Sequence, residues 1–446
     1  MMKILCVSLG CDKNLVDTEK MLGLLRADGY EFTDDEAQAD IVLVNTCCFI
    51  GDAKEESINT ILELGQLKDT GRCRALIVAG CLAQRYQDEI MEEMPEVDAC
   101  VGTTAYDHVA QVIRDVLDGK KERHFMDVDR LPEVKASRIM TTGGCYAYLK
   151  IAEGCDKRCT YCVIPYVRGR YRSVPMADLI KEARDLAGAG VKELILVAQE
   201  TTVYGVDLYG EKTLPKLLHE LCQVGGIQWI RILYCYPEEI TRELIETIKT
   251  EDKVCHYLDI PIQHASDRIL KRMGRRTDRR QLKSIISLLR REIPDIALRT
   301  TLISGFPGET KEDHETLMEF VDEMEFERLG VFAYSQEEDT PAAGFEDQVD
   351  DEVKEERRGE LMEMQQDISL ENSRAMEGRV LDVLIEGKVA DENVYVGRTY
   401  MDAPGVDGLV FVNTGENLMS GDFVRVKVTG ALEYDLIGEI CDESAK

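Results

Sequence analysis

The sequence predicts an α/β chain in three parts: an N-terminal parallel α/β domain over 1–126, a central partial (β/α)6 barrel over 141–376, and a small C-terminal antiparallel β-barrel over 379–446. Three observations predict it. Near-continuous apolar runs alternate with helical periodicity through the first two parts, the pattern of a parallel sheet covered on both faces. Beyond residue 379 the pattern changes to short alternating strands separated by glycines, which is the pattern of a small closed barrel. A length of 446 residues with 44% hydrophobic content is enough for about three ordinary domains, each with its own core.

In the first part an apolar run is followed three times by a cysteine just past its end and then by a helical stretch. The runs are Ile4 to Leu9 before Cys11, Ile41 to Val44 before Cys47, and Ala75 to Ala79 before Cys81. In parallel α/β sheets ligands gather outside the carboxyl ends of the strands, so LGC, NTC and AGC are expected to converge there despite their separation in sequence. Ordinary loop cysteines are the bland alternative. Cys47 and Cys48 are adjacent, and on an extended backbone their thiols point to opposite sides, so only one of the two can join such a site.

A polar connector around Asp127 to Gly144 leads to six apolar runs: Tyr146 to Ala152, Glu193 to Ala198, Trp229 to Tyr234, Tyr257 to Ile262, Ile296 to Ser304 and Leu329 to Tyr334. Helical stretches lie between them, with Pro175, Pro215 and Pro237 near the starts, where proline suits a first turn. Six βα units predict an incomplete parallel barrel whose functional groups come from the carboxyl strand ends. The charged stretch Asp350 to Arg374 reads as a long surface helix. The last part contains VLDVLIEG, NVYVGRTY, GLVFVN, FVRVKVTGA and DLIGEI, with Gly387, Gly408, Gly421 and Gly430 expected as turns.

With 54 basic against 85 acidic residues the net charge is −31, which opposes attachment to a phosphate backbone and favours a basic partner. No charged-then-apolar leader follows Met1 and no run approaches the ~18 apolar residues of a membrane span, so a cytoplasmic location is expected. Fifteen cysteines in a chain of this length are too few for a disulfide scaffold and point to metal or redox use.

The most informative feature is EGCDKRCTYCVIP. Its CxxxCxxC spacing brings the thiolates of Cys155, Cys159 and Cys162 onto one iron–sulfur cube and leaves one iron without a protein ligand. Zinc sites close with four ligands, and no fourth Cys or His is local here. Simple packing of three small apolar side chains explains poorly why they fall within eight residues beside Lys157 and Arg158. No Ser-His-Asp order, Walker loop, GxGxxG turn or HExxH helix is present.

At this loop, and in its tail CVIPYVRGRYRS, the chain resembles the radical S-adenosylmethionine (SAM) methylthiotransferases. The resemblance covers nearly the whole chain and implies a radical SAM fold for the central barrel and a TRAM domain for the last part. It implies two [4Fe–4S] clusters, an auxiliary one on Cys11, Cys47 and Cys81 and one on Cys155, Cys159 and Cys162. At the latter the open iron holds SAM, and an electron cleaves SAM to a 5′-deoxyadenosyl radical. The NTC match favours Cys47 over Cys48. For SAM binding it implies Tyr161 beside the adenine and Ser304, Gly305 and Gly308 in TLISGFPGET, a segment whose glycines also suit a plain βα turn. Gln199 and Glu200 end another strand, a polar pair placed either to bind ribose or substrate or to cap the next helix. Gln263 and His264 sit at a further strand end, where no nearby carboxylate in the sequence argues for an acid–base dyad.

Within that family VAQETTVYGVDLYG, LYCYP and GRTYMDAPGVDG resemble the branch that methylthiolates the β-carbon of an aspartate in small-subunit ribosomal protein S-twelve, although Gly405 stands where that branch carries a longer acidic side chain. Residues 379–446 hold 6 Lys/Arg and 13 Asp/Glu, a balance of −7, which favours a basic ribosomal protein over RNA. The alternatives are methylthiolation of a modified adenosine in tRNA and, from another class, an iron–sulfur electron-transfer or cluster-carrier protein. The implied partners are the ribosomal protein and an electron donor such as flavodoxin or ferredoxin, with no membrane.

Overall fold

The computed structural model describes residues 2–134 and 136–441, which divide into two compact units. The first comprises Met1–Thr141, Ala152–Val174 and Ser335–Gly344, and the second comprises Thr142–Ile151, Pro175–Tyr334 and Phe345–Lys446.

Among the described residues the first unit carries a six-stranded, all-parallel sheet of β1 (Lys3–Ser8), β2 (Glu31–Phe32), β3 (Ile41–Thr46), β4 (Ala75–Gly80), β5 (Ala99–Val101) and β6 (Glu122–His124), in the order β2-β1-β3-β4-β5-β6. Side chains alternate between two cores. Val42, Val44, Leu76 and Val78 enter one, and Ile41, Leu43, Ala75 and Ile77 the other, so β3 and β4 are buried at every position. Each Val, Leu or Ile so buried stabilises by about 1.5–3 kcal/mol relative to an exposed one. The strands β2, β5 and β6 were not foreseen, because two or three residues show no period. Helices Asp12–Ala27, Gly51–Gly65 and Cys81–Glu93 start just beyond the carboxyl ends of β1, β3 and β4.

β7 (Tyr146–Lys150) belongs to the second unit, whereas β8 (Ala152–Glu153) and β9 (Arg172–Ser173) pair antiparallel in the first. The second unit continues with β10 (Glu193–Val197), β11 (Trp229–Ile232), β12 (Val254–Asp259), β13 (Ala297–Ser304) and β14 (Arg328–Ala333). With β7 these form an open parallel sheet, β14-β13-β12-β11-β10-β7, with helices between successive strands, as the six expected βα units require. The run Tyr257 to Ile262 is not a strand throughout: β12 stops at Asp259, since Pro261 has no N–H for the ladder. Gln263 then rejoins through a single bridge to Leu302, with a left-handed φ of 71°.

Helix Asp351–Arg374 leads to β15 (Val380–Lys388), β16 (Val394–Arg398), β17 (Val410–Asn413), β18 (Phe423–Ala431) and β19 (Leu436–Ile440), which close, among the described residues, into a five-stranded barrel. Its pairs are antiparallel except β17 with β19. Gly387 and Gly430 are not turns. Each lies inside a strand at a register shift, where the missing side chain permits a bulge.

The GRTYMDAPGVDG stretch packs against the central sheet. Glu193 at the start of β10 accepts from Arg231 Nε at 2.7 Å and from Arg398 Nη2 at 2.6 Å, and Arg398 Nε also donates to Glu386 at 2.6 Å. Arg328 Nε donates to Asp402 at 3.0 Å, Arg299 Nε to Asp407 at 3.2 Å, and the Tyr257 hydroxyl to Asp407 at 2.7 Å. Asp402 and the Asp407 carboxylate are buried, so they are unavailable as a steering surface. The reason is electrostatic: a carboxylate that meets an arginine away from water is held there.

Candidate functional site

Cys11 caps the helix after β1, Cys47 follows the last residue of β3, and Cys81 opens the helix that follows β4 directly. Because β1, β3 and β4 are neighbours, the three thiols share one end of the sheet, with strands about 4.8 Å apart. Two glycines make the approach possible. Gly10 has φ 82°, and a Cβ there would stand 2.5 Å from Cys47 Cβ and 2.8 Å from its sulfur. Gly80 has φ 94°, and a Cβ there would overlap the Asn45 side chain and the Thr46 backbone.

Polar clamps fix this end. Asn45 Nδ2 donates to Asn14 O at 2.9 Å and to Thr18 Oγ1 at 2.8 Å, while Asn14 Nδ2 returns to Leu9 O at 2.8 Å. The Cys47 N–H donates to Ser57 Oγ at 3.0 Å, and Ser57 donates back to Cys47 O at 2.9 Å. Burial pushes the Cys47 thiol up to about 12, helped by the neighbouring charges of Cys81 and Cys11. Cys48 is fully buried in the core with Leu82 and Val44.

Arg168 is fully buried against this end. Its Nε donates to Cys81 Sγ at 3.3 Å, Nη1 to Asp17 at 2.6 Å and Glu153 at 3.2 Å, and Nη2 to Asn14 at 2.9 Å. Burial raises the Cys81 thiol, and the Arg168 charge opposes that. Sequence reasoning missed Asn14, Asp17, Ser57 and Arg168. The available signal was the spacing of Asn14 and Asp17, three apart and so on one face of the helix.

The CxxxCxxC loop lies in the same unit. Its base is closed by the Cys155 N–H donating to Gly169 O at 3.1 Å, and a Cβ at Gly154 would overlap the Arg170 carbonyl. Thr160 O accepts from the Ala342 N–H at 2.9 Å, and Ile164 and Val167 join the core that contains Cys48 and Cys81. Cys155 and Cys159 are buried, while Cys162 and Tyr161 are half-buried.

In the second unit the Ser304 hydroxyl donates to Lys354 O at 3.0 Å, and the Gly305 N–H donates to Glu309 at 2.8 Å. A Cβ at Gly305 would overlap the Lys354 side chain, and one at Gly308 the Asp347 carboxylate. Glu200 is buried and accepts from Thr202 at 3.3 Å, while Gln199 beside it is half-buried. His264 does have a carboxylate: Glu309 Oε2 lies 3.5 Å from its Nε2, brought there by the turn after β13. The Ser266 N–H donates to Nδ1 at 2.9 Å, so Nε2 carries the proton. Burial acts to raise the Glu309 carboxyl, but His264, Arg357 and backbone N–H groups bring it below its usual range. This set holds the strand end in shape.

Soft thiol donors in threes, at a buried strand end that also supplies a guanidinium, fit an iron–sulfur cluster better than a hard cation. Three comparisons bear on the chain. Residues 3–102 match an uncharacterized protein family, UPF0004, residues 149–321 the radical SAM superfamily, and residues 378–441 the TRAM domain. The chain is 64% identical to ribosomal protein uS12 methylthiotransferase RimO of Lachnoclostridium phytofermentans, over 98% of this chain and 99% of that protein. It is 52% identical to the protein of that name from Acetivibrio thermocellus, over 100% and 99%. Among solved structures, the radical SAM methyltransferase TsrM from Kitasatospora setae with cobalamin and a [4Fe–4S] cluster bound superposes with a TM-score of 0.57 at 14% identity, over 77% of this chain and 74% of that one, a likeness of fold.

Proposed function

The chain belongs to the ribosomal protein uS12 methylthiotransferase RimO family, and on that premise we propose that it is a radical SAM transferase that adds a methylthio group to the β-carbon of an aspartate in uS12. Cys155, Cys159 and Cys162 hold the cluster that binds SAM, and Cys11, Cys47 and Cys81 hold the auxiliary cluster. When bound, the two [4Fe–4S] clusters supply the electron that cleaves SAM and an iron site for the sulfur to be transferred. The observation that best supports the reading is the convergence of Cys11, Cys47 and Cys81 at neighbouring strand ends, in the same unit as the CxxxCxxC loop.

The chain's own residues bind, orient and shield. Gly10 and Gly80 let the backbones of the neighbouring strand ends approach each other, and Ser57 holds the Cys47 backbone. Cys48 packs in the core. Tyr161 and Glu200 are the side chains assigned to SAM. Ser304, Gly305 and Gly308 at the β13 end are assigned to SAM as well, in a turn held by the Ser304 hydroxyl and the Gly305 N–H. An acidic chain suits a basic ribosomal protein and disfavours tRNA. No helix among the described residues is long and apolar enough to cross a membrane. We place the reaction in the cytoplasm, with flavodoxin or ferredoxin as electron donor.

The test is an anaerobic reaction with SAM, a reductant and both candidate substrates, followed by mass spectrometry. A methylthio group on the uS12 aspartate is the expected product. Modification of tRNA adenosine with the aspartate untouched would replace this reading by the tRNA one.

A further inference from the structure

Arg168 is a guanidinium that cannot lose its proton, enclosed without solvent and shared among four acceptors: the Cys81 sulfur, the Asp17 and Glu153 carboxylates, and the Asn14 amide oxygen. Its backbone is fixed as well. The Arg168 N–H donates to Ile164 O at 2.8 Å, and Arg172 Nη2 donates to Arg168 O at 3.0 Å. The neighbouring Val167 O accepts from Thr103 Oγ1 at 2.7 Å. A purely structural ion pair would be complete with Asp17. Here the guanidinium already meets two carboxylates, yet Nε is directed at a sulfur at 3.3 Å.

Hydrogen bonds to cluster sulfurs and fixed nearby charges set a cluster's reduction potential, and they act strongly where the dielectric is low. We propose that Arg168 is a positioning residue that raises the reduction potential of the auxiliary cluster through its hydrogen bond to Cys81, with Asp17 as the counterweight that limits the effect. The proposal rests on the assignment of Cys11, Cys47 and Cys81 as that cluster's ligands. In chemical terms, the added electron makes the cluster one charge more negative, and the guanidinium favours that state. Asp17 opposes it from the far side of the same fork. The arrangement also joins the auxiliary site to Glu153, two residues before Cys155.

The test uses the full chain with Cys155, Cys159 and Cys162 replaced by Ala, so that only the auxiliary cluster remains, reconstituted with iron and sulfide. Iron content and the midpoint potential, followed by electron paramagnetic resonance, are read in three proteins: this background, the background with Asp17→Asn, and the background with Asp17→Asn and Arg168→Gln together. The double change removes a cation and an anion at once and leaves the net charge as it was.

The expected pattern is iron retained in all three, a shift to higher potential for Asp17→Asn, and a shift below the background for the double variant. Opposite signs are the signature of tuning. A merely structural role would move both variants the same way or neither, and either result overturns the proposal. If the double variant does not fold, Asp17→Asn decides alone: a raised potential supports the proposal and an unchanged one overturns it. If the background itself binds no iron while remaining folded, the ligand assignment fails, and the proposal falls with it.

Discussion

The joint between the central sheet and the C-terminal barrel and the strand-end cradle of the first unit both bury arginine, and they differ in what the arginine meets. At the joint the arginine pairs are all with carboxylates: Arg231 and Arg398 on Glu193, Arg398 also on Glu386, Arg328 on Asp402, and Arg299 on Asp407 and Asp259. At the cradle one arginine serves Asp17, Glu153 and the Cys81 sulfur. The network at the joint holds two layers together. At the cradle one N–H of the guanidinium goes to a sulfur instead. The difference teaches that motif and place are separable, since GRTYMDAPGVDG packs at the joint, and RGRYRS supplies the Arg168 that donates to the Cys81 sulfur.

The largest expected effect breaks the cradle by removing its donors. Cys155, Cys159 and Cys162 replaced together by Ala should abolish SAM cleavage and leave roughly half the iron. Replacing Cys11, Cys47 and Cys81 should spare reductive SAM cleavage and stop sulfur insertion. Cys48→Ala should keep both clusters at a cost of about 1 kcal/mol for the small void. Iron analysis and product assays check all three, and full methylthiolation without Cys11, Cys47 and Cys81 would reduce those residues to structural thiols.

At the joint, Arg398→Ala leaves Glu193 and Glu386 facing each other's field with one partner fewer. Breaking a buried pair of this kind costs about 3–5 kcal/mol, which corresponds to a fall in Tm of about 10 °C. The same change should leave the iron content alone. A melting curve within a degree or two of the parent would mean the network does not hold the layers.

Titration sharpens the comparison with a smaller effect. Burial acts to raise the Asp313 carboxyl, but the Ser266 hydroxyl, the Thr310 N–H and Arg268 bring it from 3.8 to about 2. A depressed carboxylate contributes stability that is present above its unfolded value and lost as pH falls through the folded one. Stability should therefore decline between about pH 4 and pH 2, and Asp313→Asn should flatten that decline. Acid unfolding curves that superimpose for the two proteins would contradict it.

The smallest effect concerns steering. Asp402 and Asp407 belong to the joint, so reversing them tests folding, whereas Asp391, Glu392 and Glu416 are exposed on the barrel. Changing these three to Lys should slow capture of uS12 a few-fold at low salt and little at high salt, because exposed charges are screened beyond about 8 Å at physiological ionic strength. A salt-independent rate would remove the acidic barrel from substrate binding.

The sequence by itself determined the order of the parts, the strands of four or more residues, the cysteine-bearing strand ends and the CxxxCxxC loop, because periodicity and spacing are local quantities. It also carried the expectation that LGC, NTC and AGC converge, since a parallel sheet aligns its carboxyl ends. What only the tertiary structure decided is which charge meets which. Arg168 reaches Cys81 across 87 residues and Asp17 across 151, and Arg398 reaches Glu193 across 205. The same is true of Glu309 against His264 and of the bulges at Gly387 and Gly430. Pairing of this sort leaves no period in the chain: a buried charge is stabilised by whatever opposite charge the packing of the layers brings to it, and packing is settled by the whole core at once.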